Sequence, residues 1–86
     1  MIDYNRISHE TLAFLEYAKM KTPEMVFITL INPAEQTVTV YAQKITSAVY
    51  AQKITSAVLR REQRYTFNEF LSRRFEEIHK TLMLKF

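Results

Sequence analysis

Residues 41–49 read YAQKITSAV and residues 50–58 read YAQKITSAV again, so the chain carries an identical head-to-tail duplication. Chance does not produce such a match in 86 residues, and the doubling is either recent or deliberately made. Nine residues turn an α-helix through about 900°, two and a half turns, and nine is odd against the two-residue period of a strand. Within one unbroken element the second copy therefore faces the opposite way from the first. On this reading the duplication does not simply lengthen an element, because it turns Tyr50, Ile54 and Val58 away from the side of Tyr41, Ile45 and Val49. Neither set tolerates water well, since burying one Val or Ile side chain is worth roughly 1.5–3 kcal/mol. The expected outcome is an extended element whose second apolar face, Tyr50, Ile54 and Val58, forms an interface with another chain. The alternative is a copy expelled as a loop.

Repeat architectures use periods of about 20 residues or more and at least three units. One doubling of nine residues is better read as an insertion, natural or engineered, into a parent domain of 77 residues (86 less the nine). It would alter geometry or assembly while the parent's function resides elsewhere.

A chain of 86 residues has room for a single domain, 1–86. A domain this small buries only about 60–65% of the surface its unfolded form exposes, so it gains from an enlarged core. There is no Cys, hence no disulfide and no thiolate metal site. With 48% hydrophobic residues, six Phe and five Tyr, self-association is the expected way to cover the apolar surplus, and a homo-oligomer follows. Glycine is absent, against an average usage of about 7%. That excludes Gly-rich phosphate loops, nucleophile elbows and dinucleotide fingerprints, which need backbone conformations only Gly supplies cheaply. It also leaves Asn32 as the candidate for a left-handed position. The longest apolar stretch, Met25 to Ile31, falls far short of the roughly 20 residues of a membrane span. The opening MIDYNRISHE lacks the layout of a signal peptide. The expectation is a cytoplasmic protein that does not engage a membrane.

The segment Ser8 onward reads as a helix, with Ser8 as N-cap, Glu10 in its first turn, and Ile7, Phe14, Leu15 and Ala18 on one side. Lys19 and Lys21 stand at its end, and Thr22-Pro23 closes it. Residues 25–42 have two readings. MVFITLI and TVTVYA are rich in β-branched and aromatic residues, and NPAEQ suits a turn, which gives a β-hairpin. Pro23 and Pro33 also suit the first positions of helices, which gives an all-α, four-helix arrangement. We expect the hairpin, and so an α+β fold: an N-terminal helix, a β-hairpin over about 25–42, then two C-terminal helices. The first of these is expected from Gln43 to about Arg64, as one helix or as a helix with a break inside the duplication. The second opens with the capping box Thr66-Phe67-Asn68-Glu69 and runs to about Leu82, with Phe67, Phe70, Leu71, Phe75, Ile78 and Leu82 on one face. Arg74 falls on that apolar face and is expected to snorkel to its rim.

Catalysis has little to work with. Two histidines, His9 and His79, and one aspartate, Asp3, do not assemble a nucleophile, base and orienter except by pairing scattered residues. Glu76-Glu77-Ile78-His79 has the Glu-x-x-His spacing of a di-iron half-site, but there is no second copy. The expectation is no catalytic residue, no metal and no cofactor. Charge gives a direction instead. From Gln43 to Arg64 there are Lys44, Lys53, Arg60, Arg61 and Arg64 against Glu62 alone, a cluster that attracts anionic partners and nucleic acid first.

A strand of alternating Thr37-Val38-Thr39-Val40, then a helix, a short turn and a second helix opening at Thr66, resembles the layout of the ribbon-helix-helix group of DNA-binding dimers. The resemblance spans Thr37 to about Leu82 and rests on pattern. It implies that Val38 and Val40 face the core, that Thr37, Thr39 and Tyr41 are offered to the major groove, and that Thr66 helps to hold a phosphate. Arg60, Arg61 and Arg64 would add phosphate contacts. An extra N-terminal helix and the duplication are departures from that layout. Taken together, the sequence points to a small non-enzymatic, self-associating regulator or adaptor that binds another protein, with DNA binding as the alternative.

Overall fold

The computed structural model describes residues 3–50 and 53–84, with the side chains of 45–50 and 53–58 outside that description. Its elements are α1 (Tyr4–Lys21), β1 (Val26–Asn32), β2 (Thr37–Tyr50), β3 (Lys53–Thr66), α2 (Phe67–Ser72) and α3 (Phe75–Met83). The three strands form one antiparallel sheet in the order β1-β2-β3. The fold is therefore α+β, with an N-terminal helix, a hairpin and two C-terminal helices in the expected order, although both of those helices fall within the span expected of the second.

Helix α1 starts a turn earlier than Ser8. Asp3 is its N-cap, and its carboxylate accepts from the Asn5 N–H at 2.9 Å. Ser8 lies inside the helix, where its carbonyl accepts from the Thr11 hydroxyl. Asp is at least as good a cap as Ser and comes first in the chain. Ile7, Thr11, Phe14 and Ala18 are the buried stripe, at helical spacing.

The hairpin turn spans Pro33 to Gln36. Asn32 stays in β1 and its side chain accepts from the Glu35 N–H at 3.1 Å, while Gln36 takes the left-handed conformation at φ 53°. Asn32 was the expected left-handed residue; instead its amide holds the start of the turn, and the reversal falls on the residue that enters β2. The Gln36 carbonyl then accepts from the Phe67 N–H at 2.9 Å, which ties this turn to the start of α2.

Within Gln43 to Arg64, the described residues 43–50 and 53–64 are not helical. They belong to β2 and β3, which pair without interruption from Thr37 opposite Thr66 to Tyr50 opposite Lys53. Cross-strand pairing decides here, because Lys-Ile-Thr-Ser-Ala-Val alternates well enough to serve as strand once a partner strand lies beside it. Strand β1 pairs with β2 only over Thr37–Gln43. From Lys44 on, β2 pairs only with β3 among the described residues, so 44–50 and 53–59, most of the duplication, form a two-stranded arm. Seven residues at about 3.3 Å each extend it by roughly 23 Å, and the molecule measures 57 Å along its longest axis.

The arm also changes the expectation that the copies oppose each other, for Ile54 and Val58 though not for Tyr50. The copies do not lie in one unbroken element but fold back on one another, with Ile45 opposite Val58 and Val49 opposite Ile54. Residues opposite in an antiparallel ladder share a face, as do residues two apart. Positions 45, 49, 54 and 58 therefore all belong to one face of the ribbon, whereas Tyr50 stays in β2 with the first copy, nine places from Tyr41, at a position of the other face. An odd repeat flips a continuous strand, and reversal of the chain flips it back.

Helices α1, α2 and α3 cover the sheet face that carries Val38, Val40 and Ala42, all fully buried, with α1 against β1 and with α2 and α3 against β2 and β3. Phe14 is the hub, with edge-on ring contacts to Phe27, Phe70 and Phe75 at 6.5, 6.3 and 5.6 Å between centroids. The capping box at Thr66 is present: its hydroxyl accepts from the Glu69 N–H at 3.1 Å and its N–H donates to Glu69 Oε1 at 3.2 Å. The single helix expected over 67–82 is broken, because Arg73 and Arg74 are extended. A continuous helix would carry Arg74 into the core between Phe70 and Ile78. The break leaves Arg74 exposed as the N-cap of α3 and still buries Phe67, Phe70, Ile78 and Leu82.

Candidate interaction face

The other face of the sheet is laid out by the two ladders. Across the three strands, the outward rows are Asn32–Thr37–Thr66, Leu30–Thr39–Arg64, Ile28–Tyr41–Glu62 and Val26–Gln43–Arg60. One edge of this face is apolar: Val26, Ile28 and Leu30 are 47, 39 and 55% exposed. The opposite edge is charged. The middle strand carries Thr39 and Tyr41, both half-buried.

The Arg60 guanidinium lies over the Tyr41 ring, 4.2 Å from its centroid, the diagonal contact an antiparallel ladder allows. Tyr41, Arg60, Arg61 and Glu62 line an open cleft of about 340 Å³. Leu30, Thr39 and Arg64 line another of about 330 Å³, with Pro33 and Glu35 at its turn end.

Of the residues singled out for nucleic acid, the structure brings Thr37, Thr39, Tyr41, Arg60, Arg64 and Thr66 onto this one face. Arg61 lies opposite Ala42, at a position of the other face, where it is exposed and donates to the Arg60 carbonyl at 3.0 Å. Thr66 has its hydroxyl oxygen and its N–H engaged with Glu69, and the Glu69 carboxylate stands where a phosphate would have to approach. Hydrogen bonds from the Thr66 backbone and side chain hold the Glu69 carboxyl below its usual range, which keeps it charged. Tyr50, Ile54 and Val58, expected at an interface, have side chains outside the described residues.

The strand-helix-helix order that resembled the ribbon-helix-helix layout is not what the chain forms. The residues expected as its first helix are the arm and the base of β3, so Thr37–Tyr41 lies in the middle of a sheet rather than in a free ribbon. Val38 and Val40 do face the core.

Sequence reasoning passed over β1 as a site. The available signal was the run Met25 to Ala34, without one charged residue and with Pro only after the strand ends. It also missed the contact of Thr22 Oγ1 with His79 Nε2 at 3.1 Å, which joins the end of α1 to α3. Glu76 and His79 line a cleft of about 460 Å³ with Tyr17 and Lys21. Among the described residues no group of three or more His, Cys, Asp or Glu is arranged to hold a metal ion, and no helix is long and apolar enough to cross a membrane. No family model matches the chain, and neither a curated protein nor a solved structure matches it.

Proposed function

We propose that this protein is a non-enzymatic, self-associating adaptor that binds another protein across the open face of its sheet. The observation that carries the reading is the exposure of Val26, Ile28 and Leu30 at alternate positions of an edge strand whose inward side is already packed. Three adjacent apolar side chains in water beside a Tyr–Arg pair have the composition of a protein-binding patch: apolar and aromatic at the centre, charged at the rim. The arm extends the sheet from which this face is built, which is how the duplication would alter the geometry of assembly. A cytoplasmic setting suits this reading.

Capture experiments with wild-type protein and an Ile28→Lys/Leu30→Lys variant test it. Both positions are solvent-exposed, so Lys should be accepted by the fold, and unchanged circular dichroism would verify that. The variant should lose the proteins that the wild type retains. Retention of the same set by both would sink the reading.

One observation favours a second reading, DNA binding. Tyr41, Arg60 and Arg64 lie together on the outward face with Thr37 and Thr39, an aromatic flanked by cations. A gel shift on arbitrary duplex at several salt concentrations decides between them. Binding that weakens steeply with salt, and less steeply in an Arg60→Ala/Arg64→Ala variant, supports phosphate contacts. No shift at low salt leaves the protein-binding reading.

A further inference from the structure

We propose that β1 is the self-association site and that its partner is β1 of a second copy, paired antiparallel about Thr29 to make a six-stranded sheet. The proposal deepens the reading that this chain works by association, and rests on it.

Strand β1 is a terminal strand of the sheet, and among the described residues its outward edge has no backbone partner. Edge strands are ordinarily blunted by a Lys, a Pro, a bulge or great shortness. Val26–Asn32 has none of these: seven residues, no charge, no Pro and an unbroken register with β2. An extended apolar edge of about 24 Å presents its backbone groups to whatever strand arrives.

Symmetry, side-chain facing and charge identify that strand as another β1. A two-fold axis through Thr29 overlaps all seven residues. It sets Ile28 beside the partner's Leu30 and Phe27 beside the partner's Ile31, and it keeps outward residues with outward residues. The exposed rows of both copies then merge into one apolar strip.

The ends agree as well. Beside the first residues of β1 lies a cleft of about 340 Å³ lined by Leu15, Lys19, Pro23, Met25, Val26 and Phe27. In the two-fold arrangement, the segment arriving there is the partner's Pro33–Glu35, the turn after its own β1. Its proline and alanine suit the apolar walls, and the acid of the partner's Glu35 suits Lys19. Because the contact is isologous, the charge pair occurs twice.

That geometry makes a crossed test. Lys19 and Glu35 are both exposed, so Lys19→Glu and Glu35→Lys should leave the fold intact. In sedimentation equilibrium the wild type should be a dimer. Each single variant should dissociate more readily, by about 5- to 10-fold for two rim pairs turned repulsive, because every Lys19–Glu35 contact becomes like-charged. An equimolar mixture of the two variants should regain the wild-type dissociation constant, since both contacts in the mixed dimer are again opposite in sign. Lys19→Glu also places an acid in the last turn of α1, so Glu35→Lys serves as the variant free of that helix effect. Amide exchange along Val26–Asn32 should slow as protein concentration rises.

A wild type that stays monomeric to about 1 mM, a far weaker association than specific dimers show, overturns the second-copy proposal. It leaves the adaptor reading to stand or fall on the Ile28 and Leu30 variant. A dimer indifferent to both reversals, with β1 amides exchanging at the monomer rate, also overturns the proposal and moves the interface elsewhere.

Discussion

Thr22 and His79 meet across the ends of α1 and α3, with Thr22 Oγ1 3.1 Å from His79 Nε2 and 3.1 Å from the Ala18 carbonyl. The hydroxyl has one proton, and donating it to Ala18 leaves its oxygen to accept from the His79 Nε2–H. Burial, and secondarily the Lys21 ammonium, hold His79 below its ordinary value of 6.5.

The sign of the pH effect follows. A histidine with a depressed folded pKa binds fewer protons folded than unfolded as pH falls below about 6.5, so the folded state loses ground in that window. Stability should be level above about pH 7 and decline as pH drops below 6.5, before the carboxylates titrate. Denaturant titrations at pH 7.5, 6.5 and 5.5 on wild type and His79→Gln check this. An identical decline in the variant would assign the effect to other groups.

Truncating the core should separate its residues sharply from their neighbours. Phe70 and Ile78 are essentially inaccessible, while Glu77 is exposed between them in sequence. Phe70→Ala or Ile78→Ala should cost on the order of 2–5 kcal/mol, and Glu77→Ala under about 0.5 kcal/mol. Urea unfolding measures all three; similar small costs would mean that α2 and α3 are not the core seam.

Gln36 occupies the left-handed region in a chain that has no glycine. A side chain there carries a steric cost of roughly 1–2 kcal/mol, partly offset because Gly loosens the unfolded chain. Gln36→Gly should therefore stabilise by about 0.5–1 kcal/mol, read as a raised unfolding midpoint with unchanged denaturant slope. Destabilisation would show that the Gln36 side chain supplies a compensating contact.

Deleting Tyr50–Val58 should leave the base of the sheet as it is. Residues 45–49 would remain between Lys44 and Leu59, and five-residue hairpin loops are common. Unfolding free energy should change by about 1 kcal/mol or less, with the pairing of Thr37–Gln43 to Arg60–Thr66 intact by backbone chemical shifts. Association through β1 should keep its dissociation constant. Loss of association on deletion would place the interface on the arm, at Tyr50, Ile54 and Val58.

The hairpin at 25–42 and the capping box at Thr66 were legible because each rests on local chemistry: consecutive β-branched residues, a Pro-bearing turn, a hydroxyl three residues before a Glu. The strand nature of 43–50 and 53–64 was not, because Lys-Ile-Thr-Ser-Ala-Val satisfies either period and only the partner strand decides. The break at Arg73–Arg74 was hidden for a related reason. The apolar spacing of 67–82 fits one helix, and only the cost of burying Arg74 divides it. Of the outward face, Thr37, Thr39 and Tyr41 were legible from alternation, while Arg60 and Arg64 were recognised as charge and not as neighbours of Tyr41. Their proximity depends on a register that the sequence of β3 alone does not contain.

The arm also bears on how the sheet closes during folding. Thr37 and Thr66, partners at its base, stand 29 positions apart in the chain, and without the second copy they would stand 20 apart. Closing the longer loop in one step costs only about 0.3 kcal/mol more by the logarithmic dependence on length. The added pairs, however, are the most local in the ladder, beginning with Tyr50 and Lys53. Zipping from the tip toward the base would shorten the remaining gap pair by pair, so the duplication would act as a guide for β-sheet closure, bringing distant strands together through a succession of small loops.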